Sequence, residues 1–315
     1  KSPLLSLTWG IVVFSFLHPL SAQTSTNSVS AIAVLSPSDP IMDRGLMFMT
    51  AQQYESAIIE FSNVAQNYPS DLRREESLFQ IAECYRLLNR NTDALNAYLY
   101  LEKSNPKTLY LPQIQIQVGL LYGKLEKFKE AIPYLKKAQE NPPKELRPLL
   151  QYALGLALLH NQQSADAIPL LKSCVETSST VQSLAAWALA DHFEKVGESN
   201  EAFNYWKKAL DLTNDPELKA QATARSGWTL LQQNKNSEAR ALFEKTRLFE
   251  KEGDWRKIAN TGLLQIAYQN QKYDEVVKLF KDERQSFLDG RRADIFFMVG
   301  FSHYQLKNME QAVEV

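Results

Sequence analysis

Apolar residues recur three and four positions apart in paired stretches of roughly 13 residues, each pair split by a short polar turn. The turns include Asn89-Arg90-Asn91, Asn161-Gln162-Gln163, Gly197-Glu198-Ser199 and Asn234-Lys235-Asn236. This spacing predicts amphipathic helices that fold back on one another. Thr92, Ser164 and Ser237 sit where a side chain can cap the second helix of a pair.

The pairs repeat. Ala57, Ala94, Ala131, Ala167, Ala202, Ala239 and Ala312 recur at steps of 37, 37, 36, 35, 37 and 73 residues, with Val276 filling the double step. Twelve residues before each anchor lie Gly45, Ala82, Gly119, Gly155, Ala190, Gly227, Leu264 and Gly300. Five of these eight are Gly in a chain with only 11, so the position demands a small residue. Three residues further on come Phe48, Tyr85, Tyr122, Leu158, Phe193, Leu230, Ala267 and His303. Four residues after the anchors come Phe61, Tyr98, Leu135, Leu171, Trp206, Phe243 and Phe280. Small residues let the helices of a pair approach closely, and large ones fill space against the next pair. Pro69, Pro106 and Pro143 close the first three units, because proline cannot continue a helix.

These residues resemble the tetratricopeptide repeat. The small-residue helix, the aromatic three residues on, the Ala followed by an aromatic and the closing Pro match that family's pattern from about Ile41 to Val315. The spacing is slightly long, the early Trp of the first helix is missing, and units from Ala167 onward lack the closing Pro. Leu264 and Val276 make the seventh unit the least typical. The resemblance implies an all-α fold, a right-handed superhelical solenoid of antiparallel helix pairs. About eight repeats occupy 41–315, the last one truncated. An end face left bare at Val315 predicts a fragment of a longer chain, with a further domain after it.

Ahead of the array, residues 1–22 read as a signal peptide: Lys1, an apolar run through Trp9 to Leu17, then Leu20-Ser21-Ala22 as a cleavage site. The run is shorter than the ~20 residues that cross a bilayer, so no integral membrane span is expected in the mature chain. Residues 23–40, rich in Ser, Thr and Pro, read as a flexible linker. The expected location is exported, periplasmic or secreted. Cys84 and Cys174 fall two repeats apart, beyond the ~7 Å Cα reach of a disulfide, and read as buried small apolar groups. Lys and Arg total 35 against 36 Asp and Glu. That balance gives no field to gather nucleic acid, which is not expected as a partner.

The chain has no Gly-rich phosphate loop, no Gly-x-Ser-x-Gly elbow, and no His or Cys pair at metal-ligand spacing. No catalytic residue, metal or cofactor is expected. Asp191-His192 places a carboxylate beside an imidazole, but neighbours on a helix point apart. Helical phasing instead selects residues of the first helices, which in the resembled family line a concave groove. In the later repeats these are Trp187, Trp228, Tyr268, Phe297, Phe301 and Tyr304. Earlier ones are Leu46, Met49, Phe79, Glu83, Leu120, Tyr152 and Leu156. An aromatic groove suits an apolar peptide strand or helix. Met42, Leu46, Gln80, Gln113 and Gln117 stand where some family members carry a Lys/Asn/Arg clamp for a terminal carboxylate, so that clamp is absent.

The leading expectation is therefore an interaction scaffold of the bacterial cell envelope or secretion machinery, with protein or peptide partners in the groove. Alternatives are an exported glycan- or nutrient-binding protein, motivated by Trp187 and Trp228, and the repeat portion of a larger enzyme. The partner's identity and the oligomeric state are not legible in the sequence.

Overall fold

The computed structural model describes residues 36–140, 142, 144–288 and 293–314. The expected signal peptide, most of the expected linker and Pro143 lie outside them. Among the described residues there are seventeen helices and no strands. They pair as α1 (Asp39–Thr50) with α2 (Tyr54–Asn67), α3 (Arg73–Leu87) with α4 (Asn91–Ser104), α5 (Leu111–Lys124) with α6 (Phe128–Ala138), and α7 (Arg147–His160) with α8 (Ser164–Glu176). Next come α9 (Gln182–Lys195) with α10 (Ser199–Leu212), α11 (Pro216–Gln232) with α12 (Asn236–Phe249), and α13 (Asp254–Gln269) with α14 (Tyr273–Asp282). A short α15 (Arg284–Leu288) follows, then α16 (Ala293–Gln305) with α17 (Met309–Glu314). The chain divides into two units, one ending at Leu170 and the other beginning at Leu171, within α8.

In both units the repeat grammar becomes packing. The anchors from Ala57 to Ala239, with Val276, are fully buried, and so are Phe61, Tyr98, Leu135, Trp206 and Phe243 one turn later. The small positions exist because of these rings and branched chains. A Cβ on Gly45 would stand 2.4 Å from the ring of Phe61, and one on Gly119 would stand 2.8 Å from Leu135. The large residue thus fills the gap inside its own pair, and Phe243 also meets the following pair at Gly262, as the sequence suggested. In unit 1 the cores form around Phe61 with Met42 and Val64, and around Tyr98 with Phe79, Ile114 and Leu121. In unit 2 they form around Phe243 with Leu230 and Leu263, and around Leu264 with Phe280, Phe287 and Val299.

The turn within each pair is one motif used eight times. Gln52, Asn89, Glu126, Gln162, Asn234, Gln271 and Lys307 have φ between 55° and 61°, and Gly197 has φ 82°. The next residue then donates its N–H back to the carbonyl three past the small position. Examples are Arg90 to Tyr85 (2.9 Å), Lys127 to Tyr122 (2.9 Å) and Asn308 to His303 (2.9 Å). This left-handed closure satisfies carbonyls that the helix end would leave open. It also corrects the capping expectation. The second helices begin at Asn91, Ser164 and Asn236, so Thr92, Ser164 and Ser237 lie inside them rather than ahead of them. The caps Arg90 and Lys235 make no side-chain cap bond. Asp215 does cap, accepting from Glu217 N and Leu218 N at the start of α11.

The linker's expected end at residue 40 also moves. Asp39 and Pro40 already belong to α1, and proline suits the first turn of a helix. Ser36 and Ser38 are tied down by hydroxyl donation to the Asp71 carboxylate, 2.7 Å from Ser38, while Arg73 holds Asp39 at 2.9 Å.

Unit 1 also buries a charged group. Glu83 is 7 % and Arg86 8 % exposed, joined by Nη2–Oε2 at 2.6 Å, and Tyr98 donates its hydroxyl to the other Glu83 oxygen. Burial first, and then the neighbouring Glu83 carboxylate, push the Tyr98 phenol well above its usual range. Glu83 was a groove candidate in the sequence; its carboxylate is spent on this internal network.

Candidate functional site

The first helices of unit 2 enclose a cleft of about 630 Å³. It is lined by Glu194 from α9, by Arg225, Trp228 and Gln232 from α11, and by Asp254, Lys257, Ile258 and Thr261 from α13. Ser286 and Phe287 of α15 complete it. Volumes of a few hundred Å³ with a few polar groups among apolar walls are typical of binding sites.

Each wall has a local cause. Trp228 is half-buried one residue after the small Gly227, and its ring meets Phe243 edge-on at 5.7 Å. Glu194 is gripped from two sides. It accepts from Trp206 Nε1 at 3.1 Å and pairs with Arg225 Nη1 at 2.7 Å. The Arg225 guanidinium lies 5.8 Å from the centre of the Trp255 ring. Across the cleft Lys257 reaches Asp254 at 3.5 Å. Acids and bases are therefore matched around an apolar floor of Trp228, Ile258 and Phe287. Such a lining can seat an apolar side chain and offer polar contacts at its rim.

The wall from α15 hangs on one carboxylate. Glu283 accepts from Arg247 Nη2 at 2.9 Å, from Arg256 and from Asn260 Nδ2 at 3.0 Å, and Asn260 also donates to Ser286 Oγ at 3.1 Å. Partial burial alone would raise the Glu283 carboxyl, but the hydrogen bonds and charges of Arg256 and Arg247 outweigh it and hold it below the usual range. Beyond this clamp α15 inserts Phe287, 1 % exposed, into the core with Phe280.

The groove candidates read from the sequence part company here. Trp228 lines the cleft. Tyr152 (2 % exposed) and Trp187 (7 %) are interior, and Trp187 packs edge-on against Trp206 at 5.8 Å. Phasing alone could not see that the position three before the small residue is buried in these two repeats. Tyr268 and Phe301 are half-buried and meet at 5.9 Å; Phe297 and Tyr304 are exposed on α16. None of these four touches the cleft. What sequence reasoning missed is α15 and its clamp. The step from Val276 to Gly300 has an ordinary length, so only the charged Asp282-Glu283-Arg284 hinted at a break in the second helix.

The Asp191-His192 pair does not form a dyad, since Asp191 instead reaches Lys195 at 2.6 Å. Among the described residues no group of three or more His, Cys, Asp and Glu could hold a metal, and no helix is long and apolar enough to cross a membrane. Cys84 and Cys174 are buried thiols, each pushed up to about 12, chiefly by burial.

Residues 76–108 and 119–179 each match a family model for the tetratricopeptide repeat. No curated protein matches the chain. Among solved structures, a tetratricopeptide repeat protein from Parabacteroides merdae ATCC 43184 is similar at 15 % identity, over 84 % of this chain and 98 % of that one, with a TM-score of 0.54. PilW, a widely conserved type IV pilus biogenesis factor, aligns at 19 % identity over 67 % of this chain and 92 % of its own, with a TM-score of 0.49. A MamA structure aligns at 20 % identity over 56 % and 95 %, with a TM-score of 0.47. The first of these similarities is one of fold.

Proposed function

We propose that this chain, two stretches of which match tetratricopeptide repeat models, is an interaction scaffold that holds a protein or peptide partner in the cleft formed by α9, α11, α13 and α15. The observation that carries this reading is the cleft itself: an apolar floor around Trp228 set inside matched charges. Tryptophan and arginine are enriched among the residues that dominate binding energy at protein interfaces, and Trp228 and Arg225 both line the cleft. The partner is a segment with an apolar anchor side chain and polar groups on either side. The setting is the bacterial envelope or secretion machinery, after export; the support is the Lys1-to-Ala22 segment, with its signal-peptide order of charge, apolar run and small residues.

Two experiments test this. Affinity capture from envelope fractions with the wild-type chain should retain a partner that Trp228→Ala releases. Equal capture by wild type and Trp228→Ala removes the cleft from the reading. Fractionation of cells then reports location, and an unprocessed protein found only in the cytoplasm overturns the export part. Of the two tryptophans that suggested a glycan ligand, Trp187 is buried and Trp228 lines the cleft.

A further inference from the structure

Charge is balanced around the cleft of unit 2, but hydrogen-bonding capacity is not. Its carboxylates are already engaged. Glu194 accepts on both oxygens, Oε2 from Trp206 Nε1 and Oε1 from Arg225 Nη1. Asp254 opens α13, where a helix start favours negative charge, and lies 3.5 Å from Lys257.

The donors are not used up. Of the Arg225 guanidinium nitrogens only Nη1 reaches an acceptor among the described residues, and Nε is enclosed without one. That leaves Nη2 as the open donor of a side chain that is 32 % exposed. Ser286 Oγ accepts from Asn260 Nδ2 at 3.1 Å, so its own O–H remains to be given. A donor shut off from water without an acceptor is costly, so a ligand that covers this wall must bring acceptors.

A cation on the ligand is the poorer match. It would compete with Arg225 for Glu194 and strand a partly buried guanidinium where it won. A carboxylate leaves the existing pair intact, because one guanidinium can serve two carboxylates. In unit 1 Arg73 does so, giving Nε to Asp39 at 2.9 Å and Nη1 to Glu76 at 2.8 Å. Arg225 is also held in place, by Glu194 at 2.7 Å and by the Trp255 ring 5.8 Å away. Little side-chain freedom is then lost on binding, which favours affinity.

We infer that the cleft takes a partner segment in which a carboxylate flanks the apolar anchor. The anchor lies on Trp228, Ile258 and Phe287, and the carboxylate accepts from Arg225 Nη2. This rests on the cleft reading above and names the chemistry that the cleft selects.

Capped dipeptides test it. They are titrated into the 315-residue chain carrying isotope-labelled tryptophan, and the indole N–H signal that Trp228→Ala deletes reports the cleft. N-acetyl-Phe-Asp-amide offers a side-chain carboxylate and N-acetyl-Ala-Phe a terminal one. N-acetyl-Phe-Asn-amide and N-acetyl-Ala-Phe-amide are their neutral twins. At least one acid should bind about tenfold tighter than its twin, as a charge-assisted hydrogen bond provides. Which acid does so tells a side chain from a chain end. Arg225→Met should erase the ratio. Glu194→Gln keeps the shape of that side chain but removes the charge that shares Arg225, and should raise the ratio. Acid and twin binding alike overturns the inference while leaving the cleft as a binding site. A preference that Arg225→Met retains overturns it too, and so does the absence of any shift at the Trp228 signal. Failure of the cleft reading itself shows separately, as envelope capture that Trp228→Ala does not change.

Discussion

A Cβ on Gly262 would stand 2.3 Å from Cε2 of Phe243, the ring of the preceding repeat. The same ring lies 2.7 Å from a Cβ on Gly227, on its other side. Phe243 is thus sandwiched between two glycines of successive first helices, and both contacts need a bare backbone. Gly262→Ala should destabilise unit 2 by ~1–3 kcal/mol, the usual range for overpacking. Phe243→Leu in the same chain should recover part of the loss, because the two sites share one space. Urea denaturation of the three variants reads this; additive losses would refute it.

The turn motif makes an opposite expectation. Glu126 adopts φ 59°, where a Cβ is unfavourable and glycine is at home. Glu126→Gly should therefore stabilise the protein by roughly 0.5–1 kcal/mol, although glycine weakens a helix interior. Gly197 is the reciprocal control. No atom lies within 4 Å of a Cβ there, so Gly197→Ala should destabilise through φ 82° alone, and Gly197→Asn should do so less. Thermal melts give both signs.

The Glu83–Arg86–Tyr98 network should respond asymmetrically. Tyr98→Phe removes one hydrogen bond to a carboxylate and should cost about 1.5–3 kcal/mol. Arg86→Met leaves the Glu83 carboxylate buried and unpaired and should cost about 3–5 kcal/mol. Glu83→Leu together with Arg86→Met should be far less harmful than Arg86→Met alone. A double-mutant cycle by chemical denaturation is the check.

Alkaline pH should weaken the fold. The Cys84 thiol is pushed up to about 12, by burial first and then by the Glu83 charge. In the unfolded chain a thiol ionises near ~8.5. Between those values the unfolded state has released a proton that the folded state keeps, so stability falls as pH rises. The contribution is complete below the unfolded value and is lost progressively up to the folded one. Tyr98 and Cys174 act in the same direction. Melting temperatures at pH 7, 9 and 10.5 should drop, and Cys84→Ala should drop less steeply. A flat profile would contradict the burial of these groups.

The cleft should depend on Glu283 without being touched by it. Glu283→Gln keeps the shape but removes the charge that Arg247 and Arg256 share, freeing α15 and the Phe287 wall. Partner capture should fall. Acid acts similarly: the carboxyl is held below its usual range, so its stabilisation is present above the unfolded value near ~4.3 and is lost as pH falls through the folded one. Hydrogen exchange across residues 284–288 at pH 7 and pH 3.5 would report the release.

The helices and their pairing were legible in the chain because each rests on local spacing. An alanine every 35 to 37 residues, a small residue twelve before it and a ring four after it are one-dimensional facts, and neighbouring repeats touch only in order. Burial of Ala57, Ala94 and Phe61 follows directly from that periodicity. The turn residues were less legible. Gln52, Glu126 and Lys307 share no side-chain chemistry, because what their position selects is a backbone angle.

The candidate site was mostly not legible. Trp187 and Trp228 look alike in the sequence, each a tryptophan near the small residue of its helix. They stand at different phases, three before and one after it, and only the packed repeats show that Trp187 is buried against Trp206 while Trp228 lines a cleft. The α15 wall depends on Glu283 meeting Arg247, Arg256 and Asn260, groups 23 to 36 residues away in the chain. Hydrophobic period determines which face of a helix turns inward, and it is written in the order of residues. Which inward and outward positions meet a neighbour, and which meet water, depends on distances between helices, and these exist only once the repeats have packed.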